Sequence, residues 1–239
     1  MNKAAKLGIR MKFSKLIFLL VFLVPSFLYS QGVYRIKGEF SLKAKEKGKS
    51  QLVMGNFYYD LNKNQIIYRN HFPEKETWIT VDTTLFHIIN DEVISTQHIP
   101  DFSKFSIFHL ALTRNLRNFG IEGNSFTLDK VEQDGDMVIT TYVPNKKYNT
   151  WSGKIMLSMK DGKLFGIIFY DKEGNIIKKQ FFEDYFIEKG LPFPGRITEI
   201  SYTDEKEEYR VTTYKNIVYN ANEPDNLYYF DADGYFSEK

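Results

Sequence analysis

Hydrophobic and polar residues alternate along most of the chain from residue 33 onward, in short runs separated by turn-forming residues. This alternation predicts β-strands, because successive side chains of a strand point to opposite faces of a sheet. The connections "QDGD", "KDGK" and "KEGN" are typical of hairpins, since glycine accepts the positive φ that these turns require. Consecutive hairpins predict one curled antiparallel sheet of about ten strands. The strand-like segments are residues 33–44, 51–61, 65–70, 77–82, 84–90, 93–98, 125–133, 136–144, 153–160, 163–171, 176–187, 196–203 and 208–218.

One segment has helical periodicity instead. In "PDFSKFSIFHLALTRNLRNF", apolar residues recur at spacings of three and four, which is typical of a helix that buries one face. Asp101 is the predicted N-cap, so the helix is expected over residues 101–119. Farther along the chain, "FEDYFIEKGLPFPGR" predicts a short helical turn or an irregular loop. The apolar face of the predicted helix contains Phe105, Phe108, Leu112, Leu116 and Phe119.

The stretch "MGNFYYDLNKNQIIYRN" has apolar side chains on both faces of its predicted strands. Phe57 and Tyr59 point one way, whereas Tyr58 shares the other face with Asn56 and Asp60. A curled sheet with one helix has a convex face, which we expect to be solvated, and a concave face, which we expect the helix to cover. Two sheets packed as a sandwich, with the helix as a side cover, are the alternative.

The first thirty residues have the form of a signal peptide. Five basic residues and no acidic one accompany the apolar run "LIFLLVFLVPSFLYS", and Ser30 marks the predicted cut. We therefore expect a cleaved leader at residues 1–30 and one mature domain at residues 31–239. An uncleaved membrane anchor is the alternative, but residues 16–29 fall short of the roughly 20 apolar residues that span a bilayer. Met11 is a second candidate for the true start.

Removal of the leader changes the charge balance. Without its five basic residues the chain keeps 27 of 32, against 30 acidic residues, for a formal net charge of −3. This balance argues against nucleic acid as a partner, because nucleic acid requires a clustered positive surface. Cysteine is absent, which excludes disulfides, thiolate metal sites and lipid attachment at a cysteine after the leader.

The sequence contains no recognisable catalytic or metal-binding motif. The four histidines share no short spacing, and neither a GxSxG motif nor a glycine-rich phosphate loop occurs. Glu183 and Asp184 are adjacent in a predicted strand and point to opposite faces, whereas a catalytic carboxylate pair must face one substrate bond. We therefore predict a binding protein and not an enzyme, without metal or cofactor. The 21 phenylalanines and 16 tyrosines favour an apolar cavity or, alternatively, an ordinary β-rich core.

Four segments, taken in order, resemble the LolA-like periplasmic carriers of outer-membrane lipoproteins, a lipoprotein-sorting family. They are "GNFYYDLNKNQIIYRN", "WITVDTTLFHIIND", the predicted helix, and "FTLDKVEQDGDMVITTYVPN" with "IMLSMKDGKLFGIIFYDKEGNIIKKQFFEDY". The resemblance covers most of residues 38–185, and the tail "VYNANEPDNLYYF" is similar to the family's closing pattern. One difference is that Leu61-Asn62 stands where well-known carriers have an arginine that holds the lid.

The resemblance implies a mainly β fold: a single curled antiparallel sheet, or unclosed β-barrel, with a helical lid over a hydrophobic concave face. It also implies a soluble carrier or chaperone in the periplasm of a Gram-negative type of envelope. Such a carrier binds acyl chains of lipoproteins or lipids and ferries them towards the outer membrane. We expect a monomer whose partners are an inner-membrane release machinery and an outer-membrane acceptor. The alternative is a sensory or scaffolding domain of the envelope, which would bind a protein partner on the same sheet.

Strand parity and the resemblance together predict which residues line the cavity. The strand side chains on the same face as Phe57 are expected to point inward. The opposite face carries Asn56 and Asp60, whose burial without partners would cost several kcal/mol. The alternative is that all of these residues form an ordinary sealed core. The predicted cavity wall consists of Val53, Phe57, Tyr59, Leu61, Ile66 and Tyr68, and the predicted lid residues are Phe105, Phe108, Leu112 and Leu116.

Overall fold

Thirteen antiparallel strands form one open sheet in the computed structural model of the protein. The fifteen strands of the described residues are β1 Arg35–Glu46, β2 Lys49–Asp60, β3 Gln65–Phe72, β4 Glu76–Val81, β5 Thr84–Ile89, β6 Glu92–His98, β7 Phe126–Asp134, β8 Met137–Pro144, β9 Ile155–Lys160, β10 Lys163–Tyr170, β11 Ile176–Glu183, β12 Phe186–Glu188, β13 Leu191–Phe193, β14 Arg196–Thr203 and β15 Lys206–Tyr219. All of them except β12 and β13 belong to the large sheet, in the order β6-β5-β4-β3-β2-β1-β15-β14-β11-β10-β9-β8-β7. The predicted single sheet is confirmed, with thirteen strands rather than about ten.

The structure describes residues 32–46, 48–100, 103–121, 125–145, 152–203 and 206–237. The predicted signal peptide and the predicted N-cap Asp101 lie outside these residues. Within them, no helix is both long and apolar enough to cross a membrane.

The predicted helix over residues 101–119 is wrong in its length. The segment contains a 3₁₀ turn at Ser103–Phe105, the helix α1 at Ile107–Leu112 and a second 3₁₀ turn at Leu116–Asn118. Ser106 is extended and caps α1, because its hydroxyl accepts a hydrogen bond from the His109 backbone at 3.2 Å. The helix ends where Arg114 takes a left-handed conformation, with φ of 61°. The apolar spacing is therefore real, but local capping divides the helix.

Residues 182–196, predicted as a short helical turn or an irregular loop, form neither. β12 and β13 pair as a two-stranded antiparallel hairpin, separate from the large sheet. Lys189 and Gly190 form its turn, with φ of 51° and 74°, as a two-residue hairpin turn of this type requires. Leu191 and Phe193 are buried. The apolar residues of this segment therefore pack as a hairpin and not as an irregular loop.

Both faces of the sheet are covered around β2 and β3. The concave face carries α1, and its core cluster includes Phe57, Phe108 and Tyr214. On the convex face, Ile67 and Phe86 belong to a second cluster, onto which residues 230–235 of the C-terminal segment pack. This C-terminal segment comprises residues 220–237 and includes a 3₁₀ turn at Asp225–Leu227 and the helix α2 at Ala232–Ser237.

The expectation of a solvated convex face is therefore wrong at β2–β5. Asp60 is only 2 % exposed, and Arg35 Nε donates a hydrogen bond to its carboxylate at 2.6 Å. Gln65 is also buried, because its amide exchanges two hydrogen bonds with the Phe230 backbone, at 2.8 and 3.0 Å. Here Gln65 binds the C-terminal segment directly, and Asp60 binds Arg35, which in turn pairs with Asp225 of that segment.

Candidate functional site

Phe108 of α1 lies at the centre of an aromatic cluster on the concave face. Its ring stacks on Phe57 with a centroid distance of 4.4 Å, and it meets Tyr214 edge to face at 5.8 Å. Burial raises the pKa of Tyr68 and Tyr214 well above the ordinary value, so both phenols remain uncharged near neutral pH. The centre of the concave face is therefore apolar and uncharged.

Polar contacts fix the position of α1 over the turn between β2 and β3. His109 Nδ1 lies 2.8 Å from the Tyr59 hydroxyl. Asn64, in that turn, donates from its side-chain amide to the Ser103 hydroxyl at 2.9 Å. Both contacts join side chains of residues 103–109 to the end of the sheet where β2 turns into β3. These hydrogen bonds thus orient α1 on the sheet, in addition to the apolar packing of Phe108.

The β12–β13 hairpin is a second cover beside α1. Phe193 of β13 lies 6.2 Å from Phe108 and 5.4 Å from Tyr214, measured between ring centroids. Lys189 in the hairpin turn donates to the Tyr219 carbonyl of β15 at 2.7 Å. The cover of the concave face therefore combines a helix with a hairpin, whereas the sequence indicated a helix alone.

The structure brings nearly all of the predicted wall and lid residues together. Phe57, Tyr59 and Ile66 are buried in the concave core, and the other three wall residues, Val53, Leu61 and Tyr68, pack against it. Among the predicted lid residues, Phe108, Leu112 and Leu116 are buried, whereas Phe105 is 47 % exposed. In this arrangement wall and lid are in direct contact. Their binding of a ligand remains a prediction, and a ligand between Phe57 and Phe108 requires α1 to move.

A groove of about 700 Å³ opens on the concave face beside the end of α1. We call it the arginine groove, and its floor is formed by Leu128 and Val131 of β7, Val138 of β8 and Met159 of β9. Strand pairing places these side chains on one face, because Val131 lies opposite Thr140 and Thr140 opposite Leu157. Leu128, Val131 and Val138 are exposed. A volume of this size lies within the range of about 300–1,000 Å³ that is typical of ligand sites.

Charged residues stand at two places around the arginine groove. Arg114 and Arg117 border it from the turn that follows α1, and Asp136 and Asp161 border it from hairpin turns of the sheet. Asp136 is paired with Lys160 at 2.7 Å. Hydrogen bonds and charge from Lys160 hold the pKa of Asp136 below its usual range. The groove therefore joins an apolar floor to charged borders, as an amphiphilic ligand requires.

A smaller cavity of about 210 Å³ lies on another side of α1, between Phe105, Phe108, the predicted wall residue Tyr68 and the strands β11, β14 and β15. Glu199 accepts a hydrogen bond from Gln180 at 2.7 Å and is paired with Lys178 at 3.3 Å. Gln180 Oε1 is buried without a hydrogen-bond partner among the described residues. This cavity has less than a third of the volume of the arginine groove and is a weaker candidate for a hydrocarbon chain.

A polar cluster occupies β3–β5 on the concave face. Trp78 stacks on His87 with a centroid distance of 4.0 Å, and His87 Nε2 lies 2.7 Å from a Glu76 carboxylate oxygen. Asn70 donates to the other oxygen of Glu76 at 2.9 Å. The four side chains pair with one another, and we interpret the cluster as structural. In the described part of the chain, no group of acidic or histidine side chains has the arrangement of a metal site.

The sequence predicted neither the arginine groove nor the packing of the C-terminal segment on the convex face. A signal for the groove was present, since "FTLDKVEQDGDMVITTY" places Leu128, Val131 and Val138 on two predicted strands, and two arginines follow the apolar stripe of the helix. Periodicity alone could not bring these segments together, because β7 lies at the edge of the sheet and α1 packs across it. The C-terminal segment contained the aromatic residues of a cover, but no periodic pattern.

Comparisons with known proteins show the fold. No family model matches the chain, and no curated protein matches its sequence. A LolA superfamily protein from Nitrosomonas europaea aligns with a TM-score of 0.55 and 12 % identity, over 83 % of this chain and 91 % of its own. A DUF1329 family protein from Desulfovibrio piger aligns with a TM-score of 0.58 and 15 % sequence identity. This alignment covers 85 % of the present chain and 92 % of the Desulfovibrio chain. A domain from Vibrio parahaemolyticus, named for outer-membrane lipoprotein sorting, aligns with a TM-score of 0.54 and 10 % sequence identity. This alignment covers 82 % of the present chain and 89 % of the Vibrio chain. The chain has a LolA-like fold.

Proposed function

We propose that this protein is a periplasmic carrier that binds acyl chains of lipids or lipoproteins reversibly on its concave face, without catalysis. The observation that carries the proposal is the arginine groove, in which exposed apolar side chains continue the apolar core beneath α1. Exposed apolar residues on an edge strand are unfavourable in a soluble protein unless something covers them. An acyl chain is a suitable cover, because it is apolar, narrow and needs no hydrogen-bond partner.

The energetics suit reversible binding. Each methylene group transferred from water contributes about 0.8 kcal/mol, so eight buried methylenes contribute about 6 kcal/mol. Without further contacts, that free energy corresponds to a dissociation constant of some tens of micromolar. A carrier must release its cargo, and such an affinity allows both uptake and release.

We further propose that α1 acts as a lid. A chain that enters from the arginine groove would displace Phe108 from Phe57 and reach the predicted wall residues Val53, Tyr59 and Tyr68. The helix has six residues, and few hydrogen bonds join it to the sheet, so its displacement leaves the thirteen-stranded sheet intact. The β12–β13 hairpin would hold the opposite side of the opening.

The envelope location rests on two supports. The sequence predicts a cleaved leader, and one structural neighbour is named for outer-membrane lipoprotein sorting. Within this proposal, a release machinery of the inner membrane would supply the cargo and an acceptor at the outer membrane would take it. The carrier would need neither a metal nor a cofactor.

The test is native mass spectrometry of the full chain after expression with its own leader in a Gram-negative host. The expected result is a mature protein that carries lipid or an acylated protein, released by detergent. Val131→Glu should lower the bound fraction about tenfold, because a carboxylate on the floor must be desolvated when a chain binds. Ile94→Glu is the matched control, since Ile94 is 55 % exposed on the other edge strand and Val131 is 56 % exposed.

Two outcomes would contradict the carrier function. One is an apo protein that binds no acylated ligand in vitro. The other is unchanged lipid content in Val131→Glu. A protein partner bound at fixed stoichiometry without lipid would instead favour the sensory or scaffolding function.

A further inference from the structure

Arg114 and Arg117 make no ion pair with any residue that the structure describes. Two other cations of the neighbouring strands are engaged, since Lys160 pairs with Asp136 at 2.7 Å and Lys178 pairs with Glu199 at 3.3 Å. Of the two carboxylates that line the groove, Asp136 is thus already neutralised. The groove retains two guanidinium groups against the single carboxylate of Asp161. Its charge complements an anion.

The backbone of Arg114 provides a second, independent observation. Asn115 N donates to the Leu110 carbonyl at 2.9 Å, and Arg114 N donates to the Ala111 carbonyl at 3.3 Å. These bonds form a Schellman motif in which Arg114 occupies the left-handed position that glycine usually takes. A long cationic side chain at this position is not explained by the motif itself. Residues held in strained conformations concentrate at functional sites.

We propose that Arg114 and Arg117 bind the phosphate of a phospholipid whose acyl chain lies along Leu128, Val131 and Val138. A guanidinium group presents paired donors in a plane and binds phosphate oxygens in a bidentate manner. The apolar floor begins beside these arginines, so one molecule can occupy both parts of the groove. The inference rests on the proposed carrier function and names its cargo as a phosphate-bearing lipid. An acylated protein without phosphate would leave the arginines unused.

The experiment compares amphiphiles of equal chain length that differ in phosphate. Lysophosphatidylglycerol and monoacylglycerol are titrated into the full mature chain by calorimetry, below their critical micelle concentrations. We expect the phosphate-bearing lipid to bind at least tenfold more tightly. The double variant Arg114→Gln/Arg117→Gln should lose this preference and keep the affinity for monoacylglycerol. Lys130→Gln is the control, because it removes a cation from the other face of the floor strand β7.

The outcomes separate this inference from the carrier function. Equal affinities for the two amphiphiles would overturn the phosphate site and leave acyl-chain binding intact. Binding of neither amphiphile would overturn both. Inorganic phosphate that competes as strongly as the lipid would show a phosphate site without a lipid site, and would also overturn the inference. An unchanged preference in the double variant would place recognition elsewhere.

Discussion

Phe108 lies against Phe57 with their ring centroids 4.4 Å apart and 20° between the ring planes. One ring belongs to α1 and the other to β2, so this contact joins the predicted lid to the predicted wall. Gly38, on β1, makes the arrangement possible, because a Cβ at this position would lie 2.9 Å from the Phe57 ring. A ligand that passes between α1 and β2 must separate these two phenylalanines.

Phe108→Ala should lower the free energy of unfolding by about 3–5 kcal/mol, because it removes a fully buried aromatic side chain and leaves a cavity. Denaturant unfolding followed by circular dichroism measures this loss. Phe105→Ala is the control and should cost less than about 1 kcal/mol, since Phe105 is half-exposed. A small effect of Phe108→Ala would mean that α1 is not docked on the sheet in solution.

The ion pair under the C-terminal segment gives a second prediction. Burial alone would lower the pKa of Arg35, but the carboxylates of Asp60 and Asp225 outweigh burial and raise it. Arg35→Ala should cost about 3–5 kcal/mol of stability, because Asp60 would remain buried without its cation. Asp225 is 83 % exposed, so Asp225→Asn should cost less than about 1 kcal/mol.

Urea denaturation of these two variants and of the parent measures the difference. Similar losses for Arg35→Ala and Asp225→Asn would show that the contact with the C-terminal segment, and not the buried pair, provides the stability. A loss below about 1 kcal/mol for Arg35→Ala would show that water reaches Asp60.

Strands were predicted well, because strand periodicity and hairpin turns are local properties of the sequence. The "KDGK" turn is an example, since Asp161 and Gly162 both have positive φ, as the hairpin requires. Helix length was predicted poorly, since Ser106 and Arg114 interrupt a spacing that looks continuous. The burial of Asp60 could not be foreseen, because its partner Arg35 lies on another strand and the segment that pairs with Arg35 is distant in sequence. The arginine groove likewise depends on how α1 crosses the sheet.

Glu76 gives a prediction about pH. Burial raises the pKa of its carboxyl group, but hydrogen bonds from Asn70, Trp78 and His87 outweigh burial and bring the pKa below its ordinary value near 4.5. A group with a lowered folded-state pKa stabilises the protein fully above its unfolded-state pKa, and this contribution disappears as the pH falls through the folded-state value. The stability advantage of the parent over Glu76→Gln should therefore shrink below about pH 4.5.

Unfolding free energies of both proteins, measured from pH 7 to pH 3, test this prediction. Asp171→Asn is a comparison variant for a carboxyl group whose pKa is also lowered, by hydrogen bonds from Asn175, but at the surface. An advantage over Glu76→Gln that stays constant to pH 3 would exclude a lowered pKa for Glu76.

Arg114→Gly should stabilise the protein while it weakens phosphate recognition. A left-handed conformation costs a residue with a side chain about 1–2 kcal/mol, and glycine removes that strain. Glycine also increases the conformational entropy of the unfolded chain, which offsets about 0.4–1 kcal/mol of this gain. We therefore expect the free energy of unfolding to rise by about 0.5–1 kcal/mol, measured by urea denaturation. Arg117→Gly is the matched control and should lose about 0.5–1 kcal/mol, because Arg117 lies in a 3₁₀ turn. Both variants should bind lysophosphatidylglycerol more weakly. A loss of stability in Arg114→Gly would show that the side chain serves the fold, and would remove the argument that function keeps an arginine at this position.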